Sequence, residues 1–390
     1  MRFTWITLAF VLTLLAACAS RPEGGAIKVS TVTAPGATMT DLLVATTRQR
    51  DKKGVAGFNG ERVDGVDFAA VSLSVPPNHK TGAIEWPDPL PGDPAKSFVI
   101  HSFSYVDGDG AFVARLKQRL ASRPKGKRSV AVFVHGYNTD FDEGVFRAAQ
   151  VFHDIGFDGE VVLFTWASRG RLVDYVYDRD SATIGRDGLE RTLELISDSG
   201  ADNIFLLAHS MGNWASMEAL RQASIAGHPD FNGRLAGVVM ASPDIDVDVF
   251  RSEMLRMGRP KMPIFLFTSA DDKALAFSSL IAGEKPRLGA YTEDKKAIAE
   301  LGVVVVDLSG ASTDVDPLNH SSYAVAMPEL VRRLNDRFAA GDKLTVDRRT
   351  LGDVVGATGG SLGNLVGSAT GSIITLPTYL LTLPLRAIGR

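Results

Sequence analysis

The residues around Ser210 have the types and spacing that turn a serine into a nucleophile. An apolar run, 204–208, leads into His209-Ser210-Met211-Gly212, and a helix-like pattern follows. Small residues two positions before and after the serine, here Ala208 and Gly212, permit a sharp strand-to-helix turn that exposes the serine oxygen. A helix N-terminus and a backbone N–H then face that oxygen and stabilise an anion there. The pattern predicts acyl transfer through Ser210.

A serine of this kind needs a base, and His320 is the candidate. Where such a turn joins a strand to a helix, the acid and then the histidine follow the serine along the chain. Only His228 and His320 follow Ser210, and His228 precedes any plausible acid-bearing strand. His320 lies in a polar loop between the apolar run 303–307 and a helix-like segment. The match around Ser210 departs from the usual pattern in having Ala208 where a glycine is typical.

The acid should follow the strand-like run 263–268, which leads into Asp271 and Asp272. Asp272 is preferred, and Asp271 remains an alternative. More distant candidates follow the preceding strand: Asp244, Asp246 and Asp248. One buried carboxylate within reach of His320 is enough, because its task is to hold the imidazole tautomer and stabilise the imidazolium.

A second strand-like run, 130–134, ends in His135-Gly136-Tyr137. In this arrangement we expect the backbone N–H groups of Tyr137 and Met211 to form the oxyanion hole, with Gly136 permitting close backbone approach. The alternative is that His135-Gly136 only ends a strand. Three aromatic residues near the predicted strand tips could line an apolar acyl pocket or simply pack: Trp166, Tyr175 and Tyr177.

The elements that must position these residues alternate along the chain. Strand-like runs occur at about 130–134, 161–166, 204–208, 237–241, 263–268 and 303–308. Helix-like patterns occur at about 141–155, 182–198, 212–226, 273–281 and 322–338. Strands that are apolar throughout predict an α/β fold with a mostly parallel sheet covered by helices on both faces. Ligands bind at the carboxyl ends of such strands, where the candidate residues fall.

Several motifs resemble the α/β-hydrolase superfamily, and a bacterial subgroup of it catalogued as a domain of unknown function. The matching stretches are 44–48, 75–79, 135–138, 164–168, 177–182, 208–213, 242–246, 272–275 and 319–320. The resemblance spans about residues 40 to 338. It implies the α/β-hydrolase fold and a serine-hydrolase site, and it prefers Asp272 as the acid. It implies no particular substrate.

The N-terminus predicts export and lipid anchoring. Arg2 precedes an uncharged apolar run that ends in Leu15-Ala-Ala-Cys18, which fits a signal peptide over residues 1–17. The run resembles the bacterial lipobox, in which the cysteine is lipidated. Cys18 is the chain's single cysteine, so the alternative is an ordinary thiol. Ala19 after the cysteine favours the outer membrane if the cell is Gram-negative.

The remaining segments give the predicted domain organisation. Residues 18–40 form a tether, 41–120 a small β-rich extension, 121–340 the α/β-hydrolase domain and 341–390 a Gly-rich apolar tail. Arg48 and His79 in the extension are expected to pin loops rather than to catalyse. In the tail, six glycines recur at helical spacing within 352–385, as in membrane-embedded packing. Membrane association, packing against protein and disorder all remain open for the tail.

Charge and motifs exclude other classes. The net charge of −3 provides no basic field for nucleic acid. The histidines at 135, 153 and 209 form no paired ligand motif, and no phosphate-binding glycine loop occurs, so we expect no metal and no cofactor. The predicted partners are a small-molecule or lipid ester and the membrane.

The sequence therefore predicts a cell-envelope serine hydrolase that cleaves esters, with lipid or acyl-glycerol esters slightly favoured. It does not separate esterase from amidase, thioesterase or acyltransferase. A non-catalytic envelope lipoprotein that binds or scaffolds on the same fold is the alternative, because a fold alone does not give a function.

Overall fold

The computed structural model describes residues 26–51, 57–291, 293–310, 316 and 318–339. The predicted signal peptide, Cys18 and the Gly-rich tail lie outside these residues. Within the described ranges, every helix is too short or too polar to cross a bilayer.

Nine strands and eight α-helices are found in the described part of the chain. The strands are β1 (Thr38–Arg50), β2 (Phe58–Val75), β3 (Val99–Val106), β4 (Ser129–Val134), β5 (Glu160–Thr165), β6 (Asn203–His209), β7 (Leu235–Ala241), β8 (Ile264–Thr268) and β9 (Val304–Asp307). The helices are α1 (Gly108–Ala121), α2 (Phe141–Asp154), α3 (Tyr175–Asp198), α4 (Gly212–Ala226), α5 (Val247–Met257), α6 (Lys273–Ile281), α7 (Lys295–Glu300) and α8 (Ser322–Ala339).

All nine strands form one sheet in the order β3-β2-β1-β5-β4-β6-β7-β8-β9. From β1 to β9 every neighbouring pair is parallel, and β2 pairs antiparallel with both β1 and β3. Three strands, β1 to β3, thus continue the sheet beyond β5. They fall mostly in the predicted β-rich segment 41–120, although β1 begins at Thr38 and the segment also contains most of α1. β2 begins well before its mostly buried residues 68–75. The preceding residues 59–67 are partly or fully exposed, and five of the nine are polar or charged.

The sheet is buried on both faces. In β4, Val130, Val132 and Val134 enter one core cluster, with residues of α1, α3, α4 and α5. The alternate residues Ala131 and Phe133 enter a second cluster, with residues of α2 and α8. Strands covered on both sides must be apolar at every position, which explains the continuous apolar runs. The predicted fold is confirmed.

Candidate active site

Ser210 occupies the tight turn between β6 and α4. Its backbone φ is +52°, a left-handed value that non-glycine residues rarely adopt. The turn is packed at backbone level: a Cβ on Gly212 would lie 2.3 Å from the carbonyl oxygen of His135. A strained non-glycine residue persists only where its surroundings over-determine it, and such residues cluster at functional sites. The strain at Ser210 is therefore consistent with a nucleophile turn.

The same rim carries further residues with positive φ. Asn138 follows β4, Ser242 follows β7, and Asn319 directly precedes His320, with φ values between 45° and 56°. Asn138, Ser242 and Asn319 thus lie at or near the carboxyl ends of the parallel strands, the edge at which ligands bind in such sheets.

His320 contacts Asp272, which follows β8 and begins α6. The Nδ1 atom of His320 lies 2.7 Å from Oδ2 of Asp272. The other carboxylate oxygen, Oδ1, accepts the N–H of Leu275 at 2.9 Å and caps α6. The carboxylate of Asp316 accepts the backbone N–H groups of His320 at 2.8 Å and of Ser321 at 2.6 Å. These bonds fix both the loop and the ring.

The electrostatics of this pair favour the charged imidazole. Burial lowers the pKa of His320, but the charge of Asp272 and the hydrogen bond to it act in the opposite direction, and the net pKa is raised. Asp316 and Asp244 add to the upward shift. A histidine supported in this way holds a proton more readily than it does in water.

The other acid candidates have different contacts. Asp271 is exposed, and its carboxylate accepts the N–H of Gly310 at 2.5 Å. Asp246 caps α5, and the neighbouring Asp248 is exposed. Asp244 is buried and accepts the hydroxyl of Ser278 at 2.5 Å. Of these aspartates, Asp272 is the one within hydrogen-bonding distance of the His320 ring.

His209, the residue before Ser210, joins the nucleophile turn to the His320 loop. Its Nε2 lies 3.3 Å from the carbonyl oxygen of His320, and the two rings are 4.7 Å apart between centroids. Burial, with the charge of His320 contributing, holds the pKa of His209 well below its usual value, so the ring is neutral and Nε2–H donates to that carbonyl. His209 had no predicted role, since a histidine beside the serine gives no sign of its partner in the sequence.

The loop after β4, which contains Tyr137, is held from beneath by His135. Burial, together with the charge of Arg48, lowers the pKa of His135 to about 3, so its ring is neutral. Nδ1–H donates to the carbonyl of Gly136 at 2.8 Å, and Nε2 accepts the hydroxyl of Thr165 at 2.8 Å. The indole Nε1–H of Trp166 donates to the carbonyl of His135 at 3.0 Å.

Arg48 in β1 is 1% exposed and donates hydrogen bonds to three segments around this loop. It reaches the hydroxyl of Thr165 at 2.7 Å, the carbonyl of Ser168 at 2.6 Å and the carbonyl of Thr139 at 2.8 Å. Burial lowers its pKa to about 10 even though several aspartates are nearby. The available sequence signal was the stretch 44–48, which ends at Arg48 and resembles the family.

Asp178 in α3 also holds the loops that follow β4 and β5. Its carboxylate accepts the hydroxyl of Ser168 at 2.6 Å, the N–H of Arg169 at 3.0 Å and the N–H of Asn138 at 3.1 Å. Burial raises its pKa, and these hydrogen bonds oppose the rise. Asp178 lies in the stretch 177–182 that resembles the family, but it had no predicted role because the apolar helix pattern begins only near residue 182, whereas α3 begins at Tyr175.

The three aromatic residues proposed for an acyl pocket have distinct surroundings. Trp166 is fully buried and stacks on His135 at 4.8 Å. The hydroxyl of Tyr177 donates to Gly60, and the guanidinium of Arg169 lies 3.6 Å from its ring centroid. These contacts favour packing roles for both. Tyr175 is nearer the site, since its hydroxyl donates to Asp244 at 3.1 Å and its ring packs on that of Tyr137.

His79, in the loop after β2, lies between two carboxylates. Nδ1 is 2.7 Å from Glu85 and Nε2 is 2.9 Å from Asp154 at the end of α2. Asp154 also accepts the N–H of Gly82 at 2.8 Å. Burial lowers the pKa of His79, but the hydrogen bonds and charges of Asp154 and Glu85 raise it to about 9. The ring therefore links the loop to α2.

Comparison with known proteins gives one family. The model described as "Alpha/beta hydrolase of unknown function (DUF900)" matches residues 110–337, a range that includes Ser210, Asp272 and His320. No curated protein matches the chain significantly in sequence.

Among solved structures, Aspergillus fumigatus lipase B is 16% identical with a TM-score of 0.31, over 47% of this chain and 45% of the lipase. The chain thus spans less than half of that lipase. Thermogutta terrifontis esterase 2 phosphorylated by paraoxon is 12% identical with a TM-score of 0.35, over 73% of this chain and 97% of the esterase. Its propionate-bound form is 12% identical with a TM-score of 0.33, over 74% and 94%.

Proposed function

Because the chain belongs to the α/β-hydrolase family of unknown function (DUF900), we propose that it is a serine hydrolase that cleaves carboxylic esters through an acyl-serine intermediate. The observation that carries the proposal is the 2.7 Å contact between His320 Nδ1 and Asp272 Oδ2. The strained turn at Ser210, on the same rim of the sheet, supports it.

In the proposed reaction, Asp272 holds Nδ1 of His320 so that Nε2 takes the proton from Ser210 as its oxygen attacks the ester carbonyl. The N–H groups of Tyr137 and Met211 bind the oxyanion. The imidazolium then protonates the departing alcohol, leaving an acyl-serine. Water, deprotonated by His320, attacks that ester, and the imidazolium returns the proton to the Ser210 oxygen as the acid leaves. The raised pKa of His320 supports this cycle, because the imidazolium forms when Ser210 attacks the ester and again when water attacks the acyl-serine.

The proposed location is the cell envelope, where a lipid on Cys18 anchors the chain, at the outer membrane in a Gram-negative cell. The proposed substrate is an ester with an apolar acyl group, and this location favours lipid or acyl-glycerol esters. The support for the location is the run Leu15-Ala-Ala-Cys18 after an apolar segment. The apolar tail over 352–385 is proposed as a second membrane contact.

Labelling with a fluorophosphonate probe tests the proposal, because the probe phosphonylates activated serines. We expect the purified full-length protein to be labelled and Ser210→Ala to lose the label. Ser102→Ala, an exposed serine on the edge strand β3, is the matched control and should label like the native chain. A folded native protein that takes no label would contradict the proposal and favour the non-catalytic scaffold.

A further inference from the structure

We propose that Glu190, Glu194 and His228 form a binding site for a divalent transition-metal ion. The site is separate from Ser210. It lies on the later part of α3 and just after α4, and both helices lead from there to the amino ends of strands, whereas Ser210 lies at a carboxyl end. No motif within one segment marks the site in the sequence, because two ligands come from α3 and the third from the turn that follows α4.

The three ligand atoms converge. Nε2 of His228 lies 3.6 Å from Oε1 of Glu190 and 3.9 Å from Oε1 of Glu194, and all three lie within 4.8 Å of one another. Atoms that share a zinc ion at bond lengths near 2.1 Å are about 3.4 Å apart in tetrahedral geometry. A small contraction of the side chains therefore brings the cluster to ligand spacing.

The backbone positions of the ligands are fixed before any ion binds. Glu190 and Glu194 are one helical turn apart, so their side chains share a face of α3. Gly227 ends α4 in a left-handed conformation with φ of 92°. The N–H of the next residue, His228, donates to the carbonyl of Ala223 at 3.0 Å. This helix-ending pattern holds the imidazole beside the two carboxylates.

Outer hydrogen bonds orient the carboxylates. Oε2 of Glu190 accepts a hydrogen bond from the amide of Gln222, and Oε2 of Glu194 accepts one from Arg191 at 2.9 Å. Both bonds leave the Oε1 atoms directed at His228, as outer partners do for the ligands of metal sites. The charge of Arg191 is shared with Asp109, which it contacts at 2.8 Å.

The charge balance also calls for a cation. Glu190 is 8% exposed, and buried carboxylates are normally paired with a positive group or a metal. Among the residues that the structure describes, its one ion-pair partner is His228, whose imidazole must be neutral to bind a metal. A metal ion would supply the missing charge.

The mixed ligand set selects the kind of ion. One imidazole nitrogen with two carboxylate oxygens suits zinc and its first-row neighbours, whereas calcium and magnesium prefer oxygen ligands alone. Glu194 and His228 are about a third exposed, so the ion has a path from solvent and its remaining positions are open to water. Binding would tie the end of α4 to α3.

Calorimetric titration of the chelator-treated full-length protein with zinc chloride tests the site. We expect one ion per chain and an increase in Tm on the order of 5 °C at one hundred times Kd. His228→Ala and Glu194→Gln should each weaken zinc binding at least tenfold and abolish the Tm increase. Cobalt should also bind and give a visible absorption band. Magnesium or calcium should not displace the bound cobalt, so the band should persist when either is added.

Two controls separate this site from others. Glu61 is hydrogen-bonded to Arg169 much as Glu194 is to Arg191. The Glu61→Gln variant should therefore bind zinc like the native chain. His320→Ala should also retain binding, which distinguishes the cluster from the proposed active site. No zinc binding by the native protein, or unchanged binding in both His228→Ala and Glu194→Gln, would overturn the proposal and leave an ordinary His–Glu ion pair.

Discussion

A Cβ atom on Gly136 would lie 2.8 Å from the Cβ of Ser210, so the turn after β4 and the turn after β6 touch without space for a methyl group. Real Cβ atoms almost never approach so closely. The proposed oxyanion loop and the proposed nucleophile therefore depend on one another's backbone position.

Gly136→Ala should displace Ser210 or the Tyr137 N–H and lower kcat at least a hundredfold, because loss of one oxyanion donor has that effect. Hydrolysis of a p-nitrophenyl ester measures it. Gly110→Ala is the matched control: it meets nothing within 4 Å inside α1 and should leave kcat unchanged. Equal activity of the two variants would contradict the proposed arrangement.

Arg48→Leu removes the donor that joins Thr165, Ser168 and Thr139, so three polar groups lose a partner in the core. We expect the free energy of unfolding to fall by about 3 kcal/mol. Because the same bonds hold the loop that carries Tyr137, kcat should fall as well. Urea denaturation and ester hydrolysis give the two measurements, with the exposed Arg115→Leu as control. A stable, fully active Arg48→Leu protein would refute the positioning role.

Asp272→Asn should lower kcat by about 10⁴, the effect of removing the carboxylate that holds the histidine tautomer. The amide oxygen can still cap α6, so the fold should survive. Asp271→Asn changes the neighbouring exposed residue and should have little effect. If Asp271→Asn proved the more damaging variant, the assignment of the acid would be wrong.

Stability should depend on His79 at alkaline pH. Its pKa is raised from 6.5 to about 9 by Asp154 and Glu85, against the effect of burial. A raised pKa in the folded state means that the stabilisation is complete below pH 6.5 and is lost as pH rises through about 9. Urea denaturation at pH 6.5 and 9.5 should show this loss, and His79→Gln should show much less of it. A native protein with equal stability at both pH values would exclude the effect.

Cys18→Ser should move part of the protein out of the membrane fraction, because the lipid can no longer be attached. If the tail over 352–385 also binds lipid, release should be partial, and deletion of the tail should complete it. Fractionation followed by immunoblotting measures both. Complete release by Cys18→Ser alone would remove the tail from the proposal, and full retention of a double variant would remove the lipid anchor.

The sequence predicted the elements that local chain physics determines. Continuous apolar runs mark strands buried on both faces, so β4 to β9 could be read within a few residues. Small residues around Ser210 marked a tight turn, and the observed φ of +52° agrees with it. The elements without a clear apolar pattern were missed: β3, α1, α5, α7 and the first turns of α3.

Tertiary structure decided which side chains meet. Asp271 and Asp272 are adjacent in sequence, yet one carboxylate accepts from Gly310 and the other contacts His320, because neighbouring side chains point in different directions. The contact of Arg48 with His135 and the convergence of His228 on Glu190 join segments far apart along the chain. Such contacts depend on strand register and helix packing. Composition and local periodicity carry no information about either. The sequence therefore nominated Arg48, Asp272 and His320 without fixing their contacts, and it gave no sign that His228 and Glu190 meet.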